Sequence, residues 1–498
     1  MERTALPDVA QAHAVGDAAG GVRGLRRRLE PLVRVSAVRW CEAIAWLASL
    51  TAVWVFAGFA LRRHRSFEST AYDFGFFDQI VWNTSRGRWF ETSFVDYNFL
   101  GQHVEPVLLI FAGLYRLGVG PESLLVAQSA LVGAAALPLF YAVRRLTDRP
   151  FAALCVAASF LLSAPLHAAL DFDFHPELMA FFFMFTAFYF LAAERPLASA
   201  LTVAPILLLK EDMTIVLATF GLLLWMRGHR REGPGLVAVA AAWAFATLFV
   251  LMPMVRGGES DLNERYAYLT EDTTVVTVLP IALWRGTAHL LHETAPALST
   301  LLAGTGGIPV LHPAVLLALP SVVLNGVADH DQQAQLDLQY GVAPVAWLFV
   351  AAALGVGAVA RGQRFLPRSA VPVIAAAGLV AAVATFVFSS PFGPGNDRYA
   401  PNATHREVVR EALARIPAGV GVTAQNTLLP HLSQRGSIYE FPDVRDSTAY
   451  VIVDSSLPIT QQSIDADYND VLGDLVEWGF AEVFNRDGVR VFARDVPQ

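Results

Sequence analysis

Along this chain, apolar runs alternate with short polar segments. The runs lie near residues 40 to 61, 121 to 143, 151 to 170, 177 to 193, 197 to 209, 213 to 226, 234 to 254, 295 to 310, 312 to 325, 341 to 360 and 370 to 389. Most approach the ~20 residues a helix needs to cross a ~30 Å hydrocarbon core, and the ~10-residue alternating strands of a membrane β-barrel are absent. The pattern predicts an all-α polytopic membrane bundle of about eleven crossings, four of them short.

Two segments depart from this rhythm. The run after His103, "PVLLIFAGLYRLGVG", is too short to span comfortably and predicts an interfacial or re-entrant helix. Before it, "FDQIVWNTSRGRWF" sets Phe77, Ile80, Val81 and Trp82 at near-helical spacing. That spacing suits a helix lying along the outer surface with Trp82 and Trp89 at headgroup depth.

Past residue 390 the pattern becomes that of an ordinary α/β unit. "PNATHREVVREALARI" and "DADYNDVLGDLVEWG" read as helices and "GVGVTAQ" and "AYVIVDSS" as buried strands. "VFNRDGVRVFAR" reads as a hairpin turning at Asp487 and Gly488. The expected organisation is a disordered basic tail over 1–38, a transmembrane domain over 39–390 with outer-loop and interfacial helices at 62–120, and a small α/β domain over 391–498. No internal repeat is visible.

Composition agrees with this class. Of 498 residues, 54% are hydrophobic and only 16% charged, and the mean hydropathy is +0.45, so the chain reads as a membrane protein with the lipid bilayer as its first partner. The net charge of −8 carries no nucleic-acid signal. Cys41 and Cys155 both fall inside apolar runs, which suits packing rather than a disulfide framework. The run from Trp40 is longer than a signal-peptide core and lacks a well-placed cleavage site, so it reads as an uncleaved anchor.

If the Arg-rich N-terminus is cytoplasmic, "RRLTDRP", "ERP", "RGHRRE" and "RGQRFLPR" share its side, as the positive-inside rule requires. Arg62, Arg63 and Arg65 break that pattern. An odd number of crossings then puts the C-terminal domain outside an integral plasma-membrane protein. The same topology gathers the titratable groups on the outer face: Asp73 and Asp78, His103 and Glu105, the stretch "DFDFHPE" at 171 to 177, Lys210–Glu211–Asp212, Arg265 with Tyr266, and Asp337 with Tyr340. Such groups near membrane depth are costly and mark functional cavities.

Lys210, Glu211 and Asp212 interrupt two short apolar runs. They read either as an exposed turn or as a site in which Lys210 holds an anion that Glu211 or Asp212 orients. In "DFDFHPE", Asp171, Asp173 and His175 are candidate ligands for a divalent cation, Mg²⁺ or Mn²⁺. Pro176 is expected to start a helix whose positive end favours Glu177, a structural role as plausible as a functional one. Asp73, before Gly75 in the first outer loop, is the preferred catalytic candidate, and Asp78, about one turn later, is either a second site residue or a cap.

Assembled in order, "YDFGFFDQIVWN", "GQHVEPVLL", "DFDFHPE", "LLLKED", "LQYGVAP" and "TAQNTLLPHLSQR" resemble the membrane-protein family catalogued as domain of unknown function 2079. That family is similar in turn to the GT-C superfamily of membrane glycosyltransferases, which use sugars carried on polyprenyl phosphate and carry an acidic residue in a large first outer loop. The adjacent Asp-Glu pair of some GT-C members is missing here, which leaves Asp73 and Asp78 as alternatives.

The resemblance implies an inverting transferase taking a polyprenyl-phosphate sugar donor and a glycan, lipid or protein acceptor. Asp73 would be its base, and Lys210, with Arg265, its phosphate anchor. Asp78, His103, Glu105, Asp173, His175, Glu177, Glu211, Asp212, Tyr266 and Tyr340 would complete the substrate site. The competing reading is a non-enzymatic transporter or envelope-assembly scaffold, which predicts charges continuing through the bundle. A zinc hydrolase is disfavoured by the lack of a His-Glu-x-x-His pair.

Overall fold

The structure is a computed structural model and describes residues 10–257, 265–274, 277–395, 403–456 and 468–494. Five described helices are long and apolar enough to cross a membrane: Ser36–Arg65, Glu122–Thr147, Glu232–Arg256, Asp331–Ala360 and Arg368–Ser389. Pro150–Leu161 and Ala164–Leu170, bent by 42°, make a sixth if counted as one span. Four more apolar helices, Pro176–Ala192, Pro196–Leu208, Met213–Met226 and Pro313–Gly326, are shorter. Among the described residues, ten of the eleven expected runs thus correspond to five or six helices of spanning length and four shorter ones. The run at 295–310 breaks where Gly306 and Gly307 both take positive φ, at 61° and 68°, which ends the helix Ala295–Gly304.

Helix α1 runs from Ala10 to Arg65. Ser49 Oγ donates to the Gly133 carbonyl at 2.8 Å, and a Cβ on residue 133 would come 2.8 Å from the Val53 nitrogen. A glycine is thus what lets the two backbones approach. At the centre stands Val342–Ala360, buried along nearly its whole length and apolar on every side, with Trp347 fully enclosed.

Helix α2, Phe76–Ser85, and helix α3, Leu108–Arg116, pack against each other. The nine residues of α3 span only ~14 Å at 1.5 Å per residue, too little to cross a bilayer. The surface-lying helix expected here is instead mostly covered, with eight of the ten α2 residues buried. Trp82 lies under the Arg86 and Arg88 guanidinium groups at 4.6 and 5.0 Å, and Trp89 stays 59% exposed.

Part of the cover over α2 is the segment Ser433–Arg435 of the C-terminal unit, whose five strands form one sheet in the order β2-β1-β3-β5-β4. Its strands are β1 Gly421–Ala424, β2 Ile438–Glu440, β3 Thr448–Asp454, β4 Phe480–Arg486 and β5 Val489–Arg494. Strand β1 pairs in parallel with β2 and β3, whereas β5 is antiparallel to β3 and β4. The expected helices appear as Ala403–Ala414 and Tyr468–Asp474. Asp487 and Gly488 turn the β4–β5 hairpin with φ of 51° and 84°, as a type I′ turn demands. Three-residue β2 is too short to show a period and was not foreseen.

Candidate functional site

The two ends of the bundle differ chemically. At one end the loop arginines cap helices: Arg145 Nε donates to the Ala192 carbonyl at 3.0 Å and Arg361 Nη1 to that of Leu146 at 3.5 Å. The other end, against the C-terminal sheet, holds the carboxylates.

Asp73 lies in a π-helical turn, Ala71–Gly75, that runs into α2. Thr70 Oγ1 is 2.7 Å from Asp73 Oδ2 and 2.9 Å from Asp173 Oδ2. A hydroxyl has one hydrogen, and the Thr70 amide already donates to Asp173 at 2.8 Å, so the hydroxyl is free to serve Asp73. His175 Nε2 faces Asp73 Oδ1 at 3.4 Å. Burial pushes the Asp73 carboxyl up, but hydrogen bonding and charge from His175, then Thr70 and Arg63, hold it below its usual value.

"DFDFHPE" forms one wall of this group. Pro176 starts a 3₁₀ turn with His175 just before it, as expected. Asp173 is held with φ of 45°, a left-handed backbone that suits Asp better than most residues. Gln128, a lone amide in an apolar run, fixes the turn by accepting from the His175 amide at 2.7 Å and donating to the Asp173 carbonyl at 3.0 Å. Arg63 Nη2 stands 3.6 Å from Asp173 Oδ2, while its guanidinium also donates to the Asp171 and Glu68 carbonyls. This explains two of the three arginines that broke the charge pattern: Arg63 is bound inside the site and Arg65 pairs with Glu122 at 2.7 Å. Thr70, Gln128 and Arg63 were missed; a polar residue isolated in apolar surroundings was the available signal for Gln128.

A second group surrounds Lys210, whose Nζ donates to Glu177 Oε1 at 2.6 Å. Glu211 accepts from the Val104 amide at 2.9 Å and pairs with His103 Nδ1 at 2.9 Å. Glu105 and Glu177 are 1% and 2% exposed, and each has a buried carboxyl oxygen without a partner, as does Asp212. Burial, reinforced by neighbouring carboxylates against Lys210, pushes Glu105 well up and Asp212 up to about 7. Lys210 is therefore enclosed by acids, which weakens it as an anion anchor.

Glu177 and Asp212 also line a small cavity of ≈ 20 Å³ with Asn325 and Tyr340. Beside it, Arg265 donates to Gln333 Oε1 at 2.7 Å and to Tyr340 Oη at 3.3 Å. Gln333 in turn donates to Tyr266 Oη at 3.3 Å. Among the described residues no carboxylate pairs with Arg265. A wider cleft of ≈ 550 Å³ opens on the other side, between Arg63, Glu68, Asp171 and Phe172.

Asp78 is fully buried and lines a third cleft, of ≈ 270 Å³, with His64, His431 and Ser433. It accepts from Tyr115 Oη at 2.7 Å, Gln434 Nε2 at 3.1 Å and Ser433 Oγ. The proposed cation ligands Asp171, Asp173 and His175 do not converge. Among the described residues no three His, Cys, Asp or Glu side chains are placed to hold a metal ion. Asp173 is turned to Thr70, and His175 spends Nδ1 on the Phe172 carbonyl at 3.2 Å.

Residues 63–478 match the family described as "Predicted membrane protein (DUF2079)". No curated protein matches the sequence. Among solved structures, ArnT from Cupriavidus metallidurans bound to undecaprenyl phosphate superposes with a TM-score of 0.50 at 13% identity, covering 91% of this chain and 98% of that one. Its apo state gives the same values. The archaeal oligosaccharyltransferase AglB from Archaeoglobus fulgidus, in complex with an inhibitory peptide and a dolichol-phosphate, has a TM-score of 0.37 at 11% identity, covering 90% of this chain and 75% of that one. The chain shares its overall fold with ArnT.

Proposed function

The chain belongs to the DUF2079 family of predicted membrane proteins, and from that footing we propose that it is a GT-C-type membrane glycosyltransferase. It takes a sugar from a polyprenyl-phosphate donor and passes it to an extracytoplasmic acceptor. The observation that carries this reading is the Asp73–His175 pair at the carboxylate-rich end of a GT-C fold, with the His175 ring stacked on Phe172, a residue that lines the wider cleft. ArnT of the same fold was solved with undecaprenyl phosphate.

In the proposed reaction an acceptor hydroxyl oxygen bonds to the anomeric carbon while the bond from that carbon to the phosphate oxygen breaks. Asp73 takes the hydroxyl proton, and the lipid phosphate leaves with the bonding electron pair. Arg265, held by the neutral Gln333 and Tyr340, suits that phosphate better than Lys210, which Glu177 already neutralises. Inversion follows from a single displacement. The arginine-capped end faces the cytoplasm in this reading, with the C-terminal sheet outside.

The test is binding and turnover of a panel of polyprenyl-phosphate sugars by purified protein in lipid nanodiscs. Transfer lost in Asp73→Asn with donor binding kept is the expected result. Absence of binding and transfer across the panel, with divalent metals supplied, would overturn the reading.

A further inference from the structure

The π-helical turn that carries Asp73 is continuous with α2, so whatever fixes α2 also fixes the carboxylate. π-Turns interrupt regular helix and occur often at functional sites. Some of the neighbours of this one come from the far end of the chain. Gly75 lies beneath the C-terminal segment: a Cβ there would come 2.8 Å from Leu429 Cδ2 and 3.4 Å from Pro430 Cα. Five residues beyond Asp73, the buried Asp78 carboxylate takes hydrogen bonds from Ser433 and Gln434 as well as from Tyr115. Gln79 donates to the Arg435 carbonyl at 3.0 Å, and the His431 ring stacks on His64 at 4.3 Å.

We propose that the segment Leu429–Arg435 is a clamp that positions Asp73 through Gly75 and Asp78, making the C-terminal unit part of the catalytic machinery. The proposal rests on the transferase reading for what Asp73 does, and on contacts alone for where it is held. Asp78 is a buried carboxylate whose desolvation is compensated only while its donors stay in place. Two of the three donors belong to the clamp. Releasing them would move α2, and with it a turn whose displacement by ~1 Å is enough to cost on the order of 100-fold in rate. Gly75, Asp78 and Ser433 are therefore positioning residues.

The experiment compares full-length wild type, Ser433→Ala, Ser433→Thr and Gly75→Ala in nanodiscs by hydrogen–deuterium exchange and by transfer kinetics. In Ser433→Ala and Gly75→Ala, exchange across residues 71–79 rises roughly tenfold or more. In both, kcat falls by about 10- to 100-fold while the donor KM stays unchanged. Ser433→Thr, which keeps the hydroxyl, restores wild-type exchange and kcat. Unchanged exchange at 71–79 in both Ser433→Ala and Gly75→Ala would overturn the clamp. So would a rise spread over the whole bundle that the threonine does not reverse. If the wild type transfers no sugar, the transferase reading fails, and exchange at 71–79 still decides the clamp.

Discussion

The His175 imidazole is held between the Phe172 carbonyl, 3.2 Å from Nδ1, and the Asp73 carboxylate, 3.4 Å from Nε2. A carbonyl only accepts, so Nδ1 carries a hydrogen, and Nε2 attracts Asp73 only with a second proton between them. In the proposed reaction Asp73 and His175 are thus one acid–base unit.

His175→Gln should therefore move the acid limb of the pH–rate profile upward. Asp73 is held below its ordinary value near 3.8, so its ionised form is favoured in the fold. The stability it contributes is present above that ordinary value and is lost as pH falls through the lower folded one. Removing the imidazole lets burial raise the carboxyl, so transfer fails at a higher pH than in wild type. Asp73→Asn should cost ~10²- to 10⁴-fold in kcat, the range of a general base. An acid limb unmoved by His175→Gln, measured from pH 3 to 8, would separate the two residues.

Lys210 should matter first to folding. Its ammonium contacts Glu177 at 2.6 Å, and removing one partner of a buried pair typically costs about 3–5 kcal/mol. Lys210→Met should lower the melting temperature markedly in thermal denaturation, and adding Glu177→Gln should recover part of the loss. A single variant as stable as wild type would show the pair to be dispensable.

Arg265→Ala should weaken binding of polyprenyl phosphate by about 10- to 100-fold, the loss of ~1.5–3 kcal/mol for a charge-assisted hydrogen bond. Titration of the lipid phosphate against wild type, Arg265→Ala and Arg265→Lys checks this. Affinity unchanged in the alanine variant would move the phosphate elsewhere.

In the C-terminal unit, His405 sits between Asp454 and Asp487, at 2.7 and 2.8 Å. Burial lowers its pKa, but the hydrogen bonds and charges of Asp487 and Asp454 together raise it above its usual 6.5. A raised histidine stabilises fully below that usual value and loses its contribution as pH rises through the folded one. Unfolding midpoints of wild type and His405→Gln should therefore differ at pH 6 and converge by pH 9. A gap that stays constant over that range would refute the linkage.

Much of the site could be listed from the sequence, because a charged residue in an apolar run stands out wherever it is. Lys210 was visible in that way, whereas Asp73, His175, Glu177 and Arg265 stood out because the topology gathers their polar segments on one face. Their roles were less visible. Lys210 reads as an anion anchor until Glu177, 33 positions away, is found beside it. Asp78 reads as a second site residue or a helix cap until Ser433, 355 positions on, is found bonded to it. Thr70 and Arg63 carry no local mark of what they bind.

What the sequence by itself determined was membership of the membrane class, the helical bundle, the change to an α/β unit after residue 390, and the inventory of polar groups. Each follows from local hydrophobicity and period, which act over one helix or strand at a time. Only the tertiary structure decided which carboxylates are ion-paired, which are left unpartnered, and that the segment Leu429–Arg435 of the C-terminal unit packs against α2 and the turn before it. Those outcomes depend on desolvation and hydrogen bonding between segments far apart in the chain, and such energies exist only once the segments have met.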